Sequence, residues 1–261
     1  MESVDQGVSA PLLVSIGTTH PWNIAGVGLD ARVAAEYHLP HAMAVVAVSA
    51  QDAGGLRALY TLPPEIVRAQ LDVLPRADAY RVGALVSSEN VRIVGEYLRA
   101  RADTAPVIVD PVVRVTLGGV LQTDPEFMRT LRTELLTLPV IVTPNLDEAE
   151  DLTGMRAGSV PEMLSAARRL VALGARAALV KGGHAAGDPV DILATNDGTS
   201  ETFGGVRLRG SMRGSGCTLA AALAAELAQG RELHAAVAAA RQYVRAKIGA
   251  ETFRGGLQVA F

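Results

Sequence analysis

The chain has 261 residues, room for one large α/β domain or two small ones. Apolar residues make up 49%, and 24 basic against 27 acidic residues leave a formal net charge of −3 with no long basic run, which argues against nucleic acid as the main partner. A single cysteine excludes an internal disulfide and suits a reducing, cytoplasmic setting, no apolar run reaches bilayer-spanning length, and the polar start is unlike a signal peptide.

In chain order, short β-branched apolar runs alternate with longer helical patterns. A strand is predicted at 11–17, a helix at 29–38, a strand at 42–50 and a helix at 64–73. A strand at 79–85 precedes a helix at 88–102, whose Ser88, Glu89 and Asn90 read as a capped start. A strand at 106–110 is followed by a helix at 125–136, opened by Asp124-Pro125-Glu126. Strands at 139–143 and 177–180 enclose a helix at 161–173. A hairpin pairs 188–195 with 201–209 around Asn196-Asp197-Gly198, and helices at 215–228 and 233–250 finish the chain. Leu13-Val14-Ser15-Ile16, Val107-Ile108-Val109 and Val140-Ile141-Val142 are nearly continuous apolar runs, as expected of strands buried on both faces. This β-α-β-α rhythm predicts an α/β fold, with a mainly parallel central sheet and helices on both faces. One domain over residues 11–261, after a flexible tail at 1–10, is the economical reading.

In such sheets ligands bind beyond the carboxyl ends of the strands. Polar residues gather there: Gly17-Thr18-Thr19-His20, Ser49-Ala50-Gln51-Asp52, Asp110-Pro111, Thr143-Pro144-Asn145-Leu146-Asp147-Glu148 and Lys181-Gly182-Gly183-His184. The most informative stretch is Gly214-Ser215-Gly216-Cys217-Thr218, which opens the Ala- and Leu-rich helix. A glycine turn at a helix start presents free N–H groups and the positive end of the dipole, an anion site. A thiol there is expected to have a lowered pKa and to act as base or nucleophile. The alternative is a tight turn holding a buried cysteine. Acids, a lysine and an anion-binding turn are what phosphoryl transfer requires: carboxylates for Mg²⁺, a point charge for phosphates, amides for the moving group. A Walker A loop is lacking, which excludes a P-loop kinase.

Taken singly, these residues have other readings. Asn145 and Asp147 can cap a helix beginning near Leu146. Lys181 can be a solvated lysine, Asp30 a helix-surface acid and Gln51 a turn residue. His20 and His184 read as loop groups, because no His/Cys cluster has zinc spacing. Gly26-Val27-Gly28-Leu29-Asp30-Ala31 starts too far from the first strand for a dinucleotide turn.

Together the motifs resemble a known family. Gly214-Ser215-Gly216-Cys217-Thr218-Leu219 is similar to the anion-hole motif of the hydroxymethylpyrimidine/phosphomethylpyrimidine kinases of thiamine biosynthesis, in the ribokinase-like superfamily. Asp110-Pro111-Val112-Val113 resembles the family's DPVM, residues 143–150 its TPNxxEA, residues 180–184 its VKGGH and Val190-Asp191-Ile192-Leu193 its VDxL, in family order. The resemblance covers residues 12–247 and implies a ribokinase-like three-layer α/β/α fold, ATP and Mg²⁺ as cofactors, and a homo-oligomer (dimer). It makes Cys217 the base for the substrate hydroxyl, where many relatives carry Asp, and Gly214, Ser215 and Gly216 the anion hole. It sets Lys181 and Asn145 near the ATP phosphates, Glu148 and Asp110 at the metal and phosphates, and Asp30 and Gln51 at the pyrimidine.

The substrate side departs from the pattern. The family's GSDxSGGAG loop is replaced by residues 17–26, in which Gly17 remains, the Asp and paired glycines are gone, and Trp22, the only tryptophan, is present. The family's KxGML becomes Arg81-Val82-Gly83-Ala84-Leu85, so Ala84 stands where a methionine packs on the ring. Residues 255–261 lack the usual GPLNH-like ending. The expected activity is phosphorylation of hydroxymethylpyrimidine and/or its monophosphate. A pyridoxal/pyridoxine-type or other hydroxymethyl-heterocycle kinase, or a non-catalytic ligand-binding relative, are the alternatives.

Overall fold

Alternate residues of the central strands enter two different cores. Val14, Ile16, Val107, Val109, Val142 and Val180 pack on one side of the sheet; Leu13, Ile108, Ile141, Ala177 and Leu179 pack on the other. Side chains of a strand alternate in direction, so both faces are covered and the near-continuous apolar runs are explained. The computed structural model describes residues 10–52, 54–113, 124–183, 187–210, 212–249, 252–254 and 257–259.

The elements run β1 (Leu13–Thr18), α1 (Gly26–Glu36), β2 (His41–Asp52), β3 (Gly55–Thr61), α2 (Pro64–Asp72), β4 (Ala79–Val82), α3 (Ser88–Arg99) and β5 (Val107–Val109). Next come α4 (Phe127–Thr130), which continues into a π-helical turn (Leu131–Leu135), β6 (Ile141–Val142), α5 (Leu146–Thr153), α6 (Val160–Ala172) and β7 (Ala177–Lys181). The chain continues as β8 (Asp191–Thr195), β9 (Ser200–Phe203), α7 (Ser215–Ala228), α8 (Leu233–Gly249), β10 (Thr252–Arg254) and β11 (Leu257–Val259). The large sheet has the order β3-β2-β1-β4-β5-β6-β7-β8-β9. Strands β2 to β7 in that order are parallel; β3 at one edge and β8 and β9 at the other are antiparallel. Helices α2, α3 and α6 pack on the first face, and α1, α7 and α8 on the second. The fold is the ribokinase-like α/β/α sandwich. From β1 the chain steps first to β2 and later to β4 on its other side, so the order reverses beside β1 and opens a crevice at the carboxyl ends.

Several elements differ from the sequence reading. Strand β3 was not expected: its residues are exposed or half-buried except Gly55 and mix polar with apolar, as an edge strand allows. The helix expected at 125–136 begins at Phe127; Asp124 Oδ1 accepts the Glu126 N–H at 3.1 Å before it, and Asp124 Oδ2 accepts the Ser88 N–H at 2.8 Å. Ser87, not Ser88, caps α3, accepting from the Asn90 N–H at 3.2 Å. Helix α5 is an element in its own right. The late hairpin is shorter than expected, and β10 pairs antiparallel with β11 where only a divergent ending was read. Residues 1–9 of the expected tail lie outside the described residues. Among the described residues no helix is long and apolar enough to cross a membrane.

Candidate active site

Helix α7 is apolar all round and buried from Thr218 to Glu226, so its start is held rigidly beneath the strand ends. Gly214 caps it with φ 79°, and a Cβ there would collide with the Ile24 carbonyl oxygen. Only glycine meets both conditions, which ties the first loop to the anion turn. No side chain caps the first turn of α7, so its amides point at a cleft of about 370 Å³. Asp110, Asn145, Glu148, Lys181 and Cys217 border the same cleft, with Gly214, Ser215 and Gly216. The structure thus brings together the residues expected at the phosphates and the metal.

Lys181 ends β7, and its Nζ donates to Asp110 Oδ1 at 2.8 Å. A Cβ on Gly216 would stand 3.1 Å from that Nζ, so the ammonium lies against the anion turn. Asp110 follows β5 and is buried; its Oδ2 accepts from Arg81 Nη2 at 3.0 Å and its Oδ1 from Thr143 Oγ1 at 3.4 Å. Burial works against the Asp110 charge, but Lys181 and Arg81 outweigh it and hold the carboxyl below its usual range. Burial likewise opposes the Lys181 charge, and Asp110 and Glu148 overcome it, holding the ammonium above its usual range.

Asn145 and Glu148 form a capping box on α5: Asn145 Oδ1 accepts the Glu148 N–H at 2.9 Å, and Glu148 Oε2 accepts the Asn145 N–H at 2.8 Å. The cap expected of Asn145 and Asp147 is thus made by Asn145 with Glu148, and these two residues also border the cleft. Burial pushes Glu148 up to about 7, against the pull of Lys181. The expectation of a low-pKa thiol is overturned. Burial, reinforced by Asp110, pushes Cys217 up to about 11, and Arg81 and Lys181 only moderate this. Desolvation outweighs the helix start because the thiol, although at the cleft, is packed closely on its other sides and lies beside the Asp110 carboxylate.

Asp30 is no surface acid, nor does it line the cleft. It is fully buried, and its Oδ2 accepts from Arg81 Nη1 at 3.3 Å. Its Oδ1 has no partner, and burial pushes the carboxyl up to about 6. Gly17 packs against Gly83, and Ala84 is buried with Ala47 and Val86. Gln51 donates to Ser49 Oγ at 2.8 Å and accepts from Arg213 Nη2 at 3.4 Å, while Arg213 Nη1 reaches the Asp52 carbonyl at 2.8 Å. Arg213 thereby ties the anion turn to the β2–β3 hairpin. Trp22 is 41% exposed, and its backbone N–H donates to Nδ1 of the buried His20. Gly17, Gln51, Ala84 and Trp22 gather on the β1–β2–β4 side, beside the cleft and not in its walls. His184 lies outside the described residues.

Arg81, which motif reading noted only as a departure from the family's lysine, joins the two buried acids Asp30 and Asp110. Its signal was a lone charge inside an apolar strand, which demands buried partners. A Cβ on Gly83 would collide with its guanidinium, so that glycine is required by close approach.

The family model described as phosphomethylpyrimidine kinase matches residues 23–259. The chain belongs to that family. It is 38% identical over 259 residues to a hydroxymethylpyrimidine/phosphomethylpyrimidine kinase of Streptomyces coelicolor, covering 95% of this chain and 93% of that one. Among solved structures it resembles an ADP complex of Bacillus subtilis pyridoxal kinase, with TM-score 0.86, 26% identity and 96% of each chain covered. It also resembles phosphomethylpyrimidine kinase from Clostridium difficile 630, with TM-score 0.78, 28% identity and coverage of 90% of this chain and 98% of that one.

Proposed function

We propose that the chain is an ATP- and Mg²⁺-dependent kinase that phosphorylates the hydroxymethyl group of hydroxymethylpyrimidine, and/or the monophosphate so formed, in thiamine biosynthesis. The observation that carries this reading is one cleft in which Lys181, Asp110, Glu148 and Cys217 face the uncapped start of α7, in a chain of this family. The nucleotide phosphates lie against Lys181 and the α7 amides, which stabilise the spread charge of the transferring group. Cys217 accepts the hydroxyl proton. A loose transition state asks little of the nucleophile until late, so a thiol pushed up to about 11 serves through its small thiolate fraction. Magnesium neutralises phosphate charge when bound. Glu148, with Asp110 beside it, fits a hard cation held largely through water and phosphate oxygens, since no group of three acids, histidines or cysteines forms a cage among the described residues. The domain over residues 11–261 acts as a unit in the cytoplasm, as a homodimer.

A pyridoxal-type acceptor is the second reading, favoured by the 0.86 TM-score to a pyridoxal kinase and by the aromatic Trp22 in the altered loop. ATP consumption with Mg²⁺ and hydroxymethylpyrimidine, its monophosphate or pyridoxal, run in parallel, tests both. Turnover of a pyrimidine is the expected result. Turnover of pyridoxal alone moves the chain to the second reading, and no turnover from folded protein makes it a ligand-binding relative.

A further inference from the structure

We infer that Arg81 is a positioning residue: it remains the counter-ion of Asp110 while Lys181 exchanges Asp110 for the nucleotide phosphates. The inference rests on reading Lys181 as the phosphate-binding lysine. Each oxygen of Asp110 faces a different cation, Oδ1 the ammonium of Lys181 at 2.8 Å and Oδ2 the guanidinium of Arg81 at 3.0 Å. Only one of the two can leave. The Lys181 side chain is 12% exposed and borders the cleft, with its Nζ already against Gly216. Arg81 is fully buried beneath Gly83, and its other arm holds Asp30, which is also fully buried.

The charged and titratable groups facing this pair come from several elements: Asp30 on α1, Asp110 after β5, Glu148 on α5 and Cys217 on α7. Without Arg81, the departure of Lys181 would leave the buried Asp110 carboxylate with no side-chain counter-ion, and nucleotide binding would bear that cost. The Arg81 fork reaches Asp30 and Asp110 at once, where the lysine of the family's pattern offers a single ammonium.

The test measures ADP binding by calorimetry, and KM for ATP and for the acceptor, in wild type, Arg81→Lys, Lys181→Ala and the double variant Asp30→Asn/Arg81→Gln. The double variant removes one buried charge of each sign and so keeps the interior balanced. It is expected to weaken ADP binding and raise the KM for ATP about 10-fold or more, by a clearly larger factor than the acceptor KM. Arg81→Lys, which keeps a cation, is expected to fall between the two. Wild-type affinity for ADP in the folded double variant, or a parallel rise of both KM values, overturns the inference and leaves the Lys181 reading standing. Lys181→Ala with undiminished ADP binding overturns both. Should the double variant not fold, Arg81→Gln in the otherwise wild-type chain decides: a raised KM for ATP alone supports the inference, and an unchanged one overturns it.

Discussion

Cys217 and Glu148 hold their protons more tightly than free side chains because both have been withdrawn from water. For Cys217, at about 11, the basic form grows as pH rises. Turnover should therefore climb between pH 7 and 10, and Cys217→Asp, which supplies an ionised carboxylate, should remove the climb. Cys217→Ala should lower kcat by about 10² to 10⁴ with little change in the KM for ATP; an unaltered kcat would remove Cys217 from the reaction. For Glu148 the folded value of about 7 lies above the ordinary 4.5. Its contribution to the stability of the metal-free protein is thus fully present below about 4.5 and lost as pH rises through about 7. Glu148→Gln keeps the capping geometry, because a glutamine also closes the box. Melting of the two proteins in chelator should show the variant gaining on wild type by a few degrees from pH 5 to 8. A constant difference would mean that Glu148 does not titrate there.

At the scale of elements, the start of α7 is set by a neighbour 190 residues earlier in the chain: the Ile24 carbonyl closes over Gly214 and leaves no room for a side chain. Gly214→Ala would add strain at φ 79° and push the first loop and the anion turn apart. Misplacement of the amides on that scale should lower kcat about 100-fold while α7, anchored by its buried residues, stays folded. Steady-state kinetics beside far-ultraviolet circular dichroism check this, and near-normal turnover would show that the turn tolerates displacement. The β2–β3 hairpin shares in the same coupling, since Arg213 binds its tip directly beside Gly214.

Across the whole molecule, the β3 edge carries an apolar surface. Val48 and Tyr60 are partners in register and are 48% and 64% exposed, with Met43 and Ile66 also exposed. The exposed Val48–Tyr60 pair at this sheet edge supports the proposed homodimer. Light scattering should return twice the chain mass, and Tyr60→Glu should shift it toward the monomer. A monomeric wild type would exclude that assembly.

The alternating strands and helices, the capped start at Asn145 and the glycine turn before Cys217 were legible in the sequence because each rests on local chemistry: side-chain direction, a short capping side chain, the freedom of glycine. Strand β3 was not, because an edge strand buries too little to show a period. The protonation of Cys217 was misread for a related reason. A helix start lowers a thiol pKa, but the burial that raises it is contributed by residues distant in the chain. Asp30 and Arg81 look unrelated in sequence, 51 positions apart, and become one buried ion pair only when α1 and β4 lie against each other. The sequence by itself determined which chemical groups stand at the strand ends. The tertiary structure decided which of them meet water, which meet each other and which hold a charge, because desolvation and pairing depend on distances that the packed sheet alone sets.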